Sequence, residues 1–578
     1  MIYLDNDNKF GKKFLTLCNT LKKYSHYISP TVLILVVSIV TYYRVMIQME
    51  IGPIWDTCDF LSNALLFAGQ GTGYADLTRP PFLSFLTSLF FRLGYVSSTV
   101  IFALDGVIFV FGVVGFYLLL KTRFNDLESL LGALIFTTFP VVLSFAGSGL
   151  TDVPSLSFSI WAIYFTVLAV KKNSKYFYLS FSLFILAFLT RYAIAFIIFP
   201  MLLYILINKS FLNDIKDILI GIFLSFLLMI PVLSFFYEIF GNPFSSFLNF
   251  FGSSFVVSSS ISPENFAYHP NLLYFILKSQ VYIGIVSTTI LLIILLGIFS
   301  YTFVQMRKGK WIVKKSLKNI FKIKNNFTKI KLLLVVILSI IFVFTFGKIN
   351  YMGSEVIFFI LAYFLYGISK NLDIKYMDLN FIFLSWFMVF FIFHSVYVIK
   401  DDRYFLTMAP AVSYFLILGL SGVSYKLTFK IKNRNVIFSF FAIILTVIML
   451  VSTIQYLQSI EETNSDFKSI NENMSSASQW LVSHDPNYKN KTIYSDDWPF
   501  TGWYLKTHVG MMPVFKNNQR FYCGVKNFSF NSNDNQEFNT YLDSNNVDYY
   551  FCVRKGLNLK HCKVVKHFGN ITLYERVD

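Results

Sequence analysis

Apolar runs of roughly 15–23 residues recur along this chain, and they constrain its fold more than any other feature. A helix of about 20 apolar residues matches the hydrocarbon thickness of a bilayer. In lipid every backbone N–H and C=O must be bonded internally, so a span is a helix or part of a closed barrel. These runs are continuous rather than alternating, which predicts helices. Hydropathy places about thirteen, at residues 30–48, 98–120, 130–146, 153–170, 177–190, 192–207, 218–236, 281–303, 332–346, 356–368, 381–399, 404–420 and 436–453. Only 14% of the residues are charged, against about a quarter in soluble domains. The fold class is therefore a polytopic α-helical membrane protein. Residues 1–29 are polar and the first apolar run is long enough to remain as an anchor, so no cleaved leader is expected.

Runs 177–190 and 192–207 form either two spans or one long helix, and the choice inverts everything downstream. Charge arbitrates. With the N-terminus inside and two spans, the inner segments hold 28 Lys and Arg. The outer loops before the last span hold only seven: Arg79, Arg92, Arg191, Lys278, Lys348, Lys400 and Arg403. That asymmetry follows the positive-inside rule. It predicts a multi-pass protein of the cell membrane with a cytoplasmic segment 1–29, a transmembrane domain 30–457 and an extracytoplasmic domain 458–578. The net charge of +17 then reflects topology and attraction to anionic lipid. The basic stretch 307–331 reads as charge bias, and no nucleic-acid partner is expected.

The first outer loop, 49–97, is long for a connection. It opens with IWDTCDFLSNALLF, where Asp56 and Asp59 stand three apart. In a helix both carboxylates share a face, and the apolar positions suit the membrane interface. GQGTGYAD breaks that helix, and TRPP starts a second amphipathic stretch, PPFLSFLTSLFFRLG. Taken alone, the pattern also fits a surface loop with solvated acids and an N-capping aspartate.

The segment DTCDFLSNALLFAGQGTGYADLTRPPFLSFLTSLFFRLG resembles the first extracytoplasmic loop of GT-C glycosyltransferases. The resemblance is to glycosyltransferase family 39, the branch of protein O-mannosyltransferases and the lipid A aminoarabinose transferase. Asp56 matches the leading aspartate of that loop, with Thr57 where Glu is commoner. Arg79-Pro80-Pro81 matches its basic-Pro-Pro element. GLTDVPSLSF places Asp152 at the family's second acidic motif. LTRYAIAFIIFP places Arg191 at a basic turn, AYHPNLLYFIL holds His269 and Tyr274, and KDDRYFLTMAP holds Arg403 and Tyr404. Each motif alone is weak; their order and common outer placement make the match specific.

The resemblance implies a GT-C-like bundle with a C-terminal extracytoplasmic α/β domain. It further implies transfer of a sugar from a polyprenyl-phosphate donor to an extracytoplasmic protein, lipid or glycan acceptor. The residue types suit that chemistry independently. Guanidinium forks match phosphate oxygens, which makes Arg79, Arg191 and Arg403 candidates for the donor phosphate. An acceptor hydroxyl must lose a proton to a nearby carboxylate. Asp56 is the candidate base, Asp152 orients the acceptor or tunes the base, and Asp59 is the fallback on the same helix face. His269, Tyr274 and Tyr404 are candidates for acceptor or sugar contacts. Attack opposite the phosphate gives inversion with no second nucleophilic carboxylate.

Other features carry less. Asp105 lies inside a span and is either functional or a partner for a buried polar group. No His/Cys spacing of the structural-zinc type occurs, so no cofactor is implied and divalent-metal dependence stays open. The segments TIYS, VDYYFCV and ITLYERV predict strands in the tail, and NQEFNTYLDSN a helix. Cys552 and Cys562 are a candidate hairpin bridge, with Cys523 unpaired or an alternative partner. Trp498 and Trp503 read as core rather than an acceptor surface. The competing class is a polytopic transporter or flippase of lipid-linked sugars, which the topology permits. Its usual repeated halves and paired broken spans are not evident in the sequence.

Overall fold

The computed structural model describes residues 9–260, 267–307, 326–370, 374–427, 430–431, 434–435, 437–516, 519–521, 532–554 and 556–577. The first nine helices are α1 (Lys9–Ile51), α2 (Trp55–Ala68), α3 (Phe82–Arg92), α4 (Ser98–Leu120), α5 (Asp126–Thr137), α6 (Pro140–Phe145), α7 (Asp152–Lys171), α8 (Tyr176–Thr190) and α9 (Ile198–Ile207). Among the described residues, nine helices are long and apolar enough to cross a membrane. The chain is a multi-pass membrane protein.

All thirteen expected runs are helical, but four fall outside that set. Run 130–146 is split into α5 and α6, with Pro140 opening the second piece; proline is favoured there because its missing N–H is an orphan in a first turn. Runs 177–190 and 192–207 are separate helices. At Arg191 the backbone is extended (φ −155°, ψ 117°) and a 3₁₀ turn, Tyr192–Ile197, leads into α9. The fourth, 332–346, lies in helix Asn326–Thr345.

Helix Ile437–Thr463 runs through the expected boundary at 457 and passes, after Asn464, to helix Ser465–His484. A two-residue hairpin of β1 (Lys430–Ile431) and β2 (Arg434–Asn435) precedes it. The tail contributes β3 (Ile493–Ser495), β4 (Gly510–Met511), β5 (Val514–Lys516), β6 (Gln519–Phe521), β7 (Tyr549–Cys552), β8 (Cys562–Phe568) and β9 (Ile571–Arg576). A five-stranded sheet has the order β4-β3-β7-β9-β8. β3 pairs in parallel with β4 and β7, and β9 is antiparallel to β7 and β8. The helix predicted from NQEFNTYLDSN is Ser532–Ser544.

Strand alternation divides the core. Tyr549 and Phe551 face one cluster, whereas Tyr550 and Cys552 face another with Phe538 and Leu542. The first cluster extends beyond the tail into Leu61 and Leu65 of α2 and Phe91 of α3. The C-terminal domain and the first long loop thus share one core. Trp498 and Trp503 sit in it, as expected: Trp498 meets Trp55 edge-on at 4.8 Å, and Trp503 stacks on Phe91. Such aromatic pairs add about 0.5–1.5 kcal/mol beyond their burial. Close approach is built in at Gly502, where an added Cβ would lie 2.7 Å from the Tyr74 backbone nitrogen.

The expected Cys552–Cys562 bridge does not form; both thiols are free. They lie on β7 and β8, which flank β9 instead of pairing with each other. Cys552 sits opposite Thr572 and Cys562 opposite Arg576, towards opposite ends of β9. Cys523 lies outside the described residues, as does most of the basic stretch 307–331.

Candidate active site

Four separate chain segments build the site. α2 carries Asp56 in its first turn, where the helix dipole favours a carboxylate. Its inner face buries Phe60, Leu61, Ala64 and Leu65, which fixes the helix against the domain above. The loop after α2 is held by Asn63, whose side-chain amide donates to the Asp76 carbonyl at 2.9 Å. The Asp76 carboxylate accepts from the Thr78 N–H (3.1 Å) and hydroxyl (2.6 Å), an Asx-type turn that presents Arg79. Pro80 and Pro81 then lead into α3.

Asp152 opens α7 and is buried. The loop before it needs left-handed backbone at Gly147 (φ 72°) and Gly149 (φ 77°), which glycine adopts without steric cost. Asp105 of α4 secures this loop by accepting the Gly149 N–H at 2.9 Å. The intramembrane acid therefore has a polar backbone partner. The Thr57 hydroxyl donates to the Ser148 carbonyl (3.2 Å), tying the loop to α2. Arg191 projects from the break between α8 and α9. Arg403 stands in the 3₁₀ helix Asp402–Met408, whose cap, Asp401, accepts the Arg403 N–H at 3.0 Å.

The six candidate charges converge. Arg79 lies 3.2 Å from Asp56, 2.6 Å from Asp59 and 3.5 Å from Asp76. Arg403 lies 2.6 Å from Asp56, 3.1 Å from Asp401 and 4.0 Å from Asp152. Arg191 holds Asp152 at 2.7 Å. The Tyr404 ring lies under both Arg191 (5.6 Å) and Arg403 (5.9 Å) and stacks on His394. A cavity of about 380 Å³ opens beside the cluster, lined by Asp56, Arg79, Arg191 and Arg403 together with Asp76, Thr78, Thr151, Ser246 and Asn249.

Electrostatics separates the two acids of α2. Burial works to raise the Asp56 carboxyl, but Arg403 and Arg79 outweigh it and hold it well below the usual carboxylate range. Asp59 is deeper. Burial pushes it up to about 7 against the pull of Arg79. Burial also works against the Arg79 cation, yet Asp56, Asp59 and Asp76 together keep it charged, its pKa raised.

Asp59 does not line the cavity, nor do Asp152 and Tyr404, which sit behind the arginines that do. His269 and Tyr274 stack on each other in a neighbouring cluster and are not part of the lining. The Tyr274 and Tyr282 hydroxyls donate to Asp402 at 3.2 and 2.7 Å, one residue before Arg403. Sequence reasoning missed Asp76 and the polar wall of Ser246 and Asn249. The only hint for Asp76 was its place three residues before Arg79. Nothing marked Ser246 and Asn249, which lie in helix Ser245–Ser260 between membrane helices. Lys400 is also unexpected: its ammonium donates to the carbonyls of His394 (2.6 Å), Ser395 (2.7 Å) and Tyr397, and burial lowers its pKa to about 7. Among the described residues, no group of three or more His, Cys, Asp or Glu is arranged to hold a metal ion.

Residues 78–235 match the family model for dolichyl-phosphate-mannose-protein mannosyltransferase. No curated protein matches the chain by sequence. Among solved structures, ArnT from Cupriavidus metallidurans bound to undecaprenyl phosphate aligns with a TM-score of 0.54 at 10% identity, over 94% of this chain and 97% of that one. The apo form of that protein aligns with a TM-score of 0.52 at 11% identity, over the same shares. The apo oligosaccharyltransferase of Archaeoglobus fulgidus aligns with a TM-score of 0.53 at 11% identity, over 90% of this chain and 69% of that one. The chain is thus a multi-pass membrane protein with the fold of the GT-C glycosyltransferases, and it resembles glycosyltransferase family 39.

Proposed function

We propose that the protein is a membrane hexosyltransferase that moves a sugar from a polyprenyl-phosphate carrier to an extracytoplasmic protein, lipid or glycan acceptor, with inversion. One observation carries this reading: Asp56 shares a single cavity with Arg79, Arg191 and Arg403. The acceptor oxygen attacks the anomeric carbon while its proton passes to the Asp56 carboxylate. The bond from the anomeric carbon to the phosphate oxygen breaks, and its electrons stay on the phosphate. The guanidinium groups stabilise that charge as it develops.

A base held far below neutrality is a weak one, and Asp56 is held there by the same arginines assigned to the donor. The donor resolves the conflict. A phosphate that engages Arg79 and Arg403 draws them away from Asp56, and the carboxylate becomes more basic only when donor is bound. Asp152 keeps Arg191 in place. The charge count supports an N-terminus on the inner side and a site at the outer face.

The test pairs lipid mass spectrometry of the detergent-extracted protein with transfer of radiolabelled sugar from a polyprenyl-phosphate carrier. A copurifying polyprenyl-phosphate hexose and label in an acceptor are expected. Uptake of the lipid-linked sugar by proteoliposomes without transfer would replace this reading with a transporter.

A further inference from the structure

Against the segment that leads to Asp152 lies a further guanidinium, buried at Arg44 within the membrane-spanning part of α1. Arg44 is 2% exposed. Its Nε donates to the Leu143 carbonyl (2.9 Å), and its Nη2 donates to the Gln48 side chain (2.9 Å) and the Ser144 carbonyl (2.6 Å). Its Nη1 has no partner. None of the ion pairs found among the described residues includes Arg44, although it feels the field of Asp105.

Arg44 lines a cavity of about 200 Å³ with Gln48, Ser144, Tyr456, Ser459 and Asn464. This cavity shares no lining residue with the candidate active site. Through Tyr456 and Ser459 it adjoins a second cavity of about 290 Å³, walled by Pro140, Ile283, Ile285 and Val286 together with Thr138, Ser452 and Gln455. Ile285 is 63% exposed on the outer surface of its helix, which faces lipid if the bundle is embedded.

We propose that Arg44 is the anchor of a second anionic site, which takes the phosphate of a membrane phospholipid. Three facts support this site. A charge inside a membrane segment with no carboxylate paired to it is costly, and a bound anion removes that cost. The open Nη1 of Arg44 is a donor without a partner, and phosphate oxygens only accept. The pocket continues into a second one whose wall includes Ile283, Val286 and the exposed Ile285, in the sequence headgroup, then chain. Inorganic phosphate shares the headgroup chemistry but has nothing to place in the second cavity. The proposal does not depend on glycosyl transfer.

Native mass spectrometry of the full-length protein in detergent tests it, with phosphatidylglycerol and inorganic phosphate as separate probes. The wild-type protein is expected to retain one phosphatidylglycerol that millimolar inorganic phosphate does not displace. Arg44→Gln should weaken retention by about tenfold or more, the worth of a charge-assisted hydrogen bond or two. Ser459→Leu, which fills the cavity without removing a charge, should do the same and keeps the test decisive if Arg44→Gln does not fold. Retention by Ser459→Leu equal to wild type overturns the site. Displacement by inorganic phosphate overturns the lipid.

Discussion

Two sets of guanidinium groups flank residues 143–151, and they are compensated in different ways. Arg79, Arg191 and Arg403 are each paired with carboxylates, from Asp56 through Asp401. Arg44 is held only by two carbonyls and an amide. In the proposed reaction an anion arriving at the first set displaces a carboxylate, and the carboxylate released acts as the base. An anion arriving at Arg44 displaces nothing. On the proposed reading the first arrangement couples binding to chemistry, and the second binds alone.

The sharpest way to break this contrast is Asp56→Asn. Transfer should fall by roughly 10²–10⁴, the usual worth of a general base, with little change in melting temperature. Activity within a few-fold of wild type would mean that displacing Asp56 releases no base, and the two sites would differ only in depth. Next in size is donor binding. Arg403→Ala and Arg79→Ala should each weaken the polyprenyl-phosphate donor by roughly 10–100-fold and the acceptor much less, read by lipid-binding titration.

A smaller effect tests the platform under the first site. Gly502→Ala forces a methyl against the loop that carries Arg79 and should cost about 1–3 kcal/mol, seen as a lowered melting temperature. Smallest is Asp59. Its folded pKa of about 7 lies above the unfolded value near ~3.9. The folded protein therefore holds a proton that the unfolded chain releases between these values. The contribution of Asp59 to stability is fullest below about pH 4 and is lost as pH rises through 7. Melts across that window should show the decline in wild type and a flatter profile in Asp59→Asn.

Much of this was legible in the sequence. The thirteen apolar runs all fall on helix, because hydropathy is a local property and lipid tolerates few alternatives, although Pro140 divides run 130–146 in two. The strands TIYS, VDYYFCV and ITLYERV were legible for the same local reason. β8, Cys562–Phe568, was not, because Lys563, Lys566 and His567 break its apolar signal. In the sequence Arg44 is a lone charge inside an apolar run. Its role depends on backbone carbonyls from a helix about a hundred residues away, which no pattern announces.

By itself the sequence determined the membrane class, the positions of the apolar helical runs and the identity of the charged residues stranded among them. Tertiary structure alone decided which of them meet. Asp56 and Arg403 are 347 residues apart in the chain and 2.6 Å apart in space. Cys552 and Cys562 are near in the chain, and β9 runs between their strands. A side chain's solubility in lipid is its own property, whereas its partner is set by how distant helices break, turn and pack.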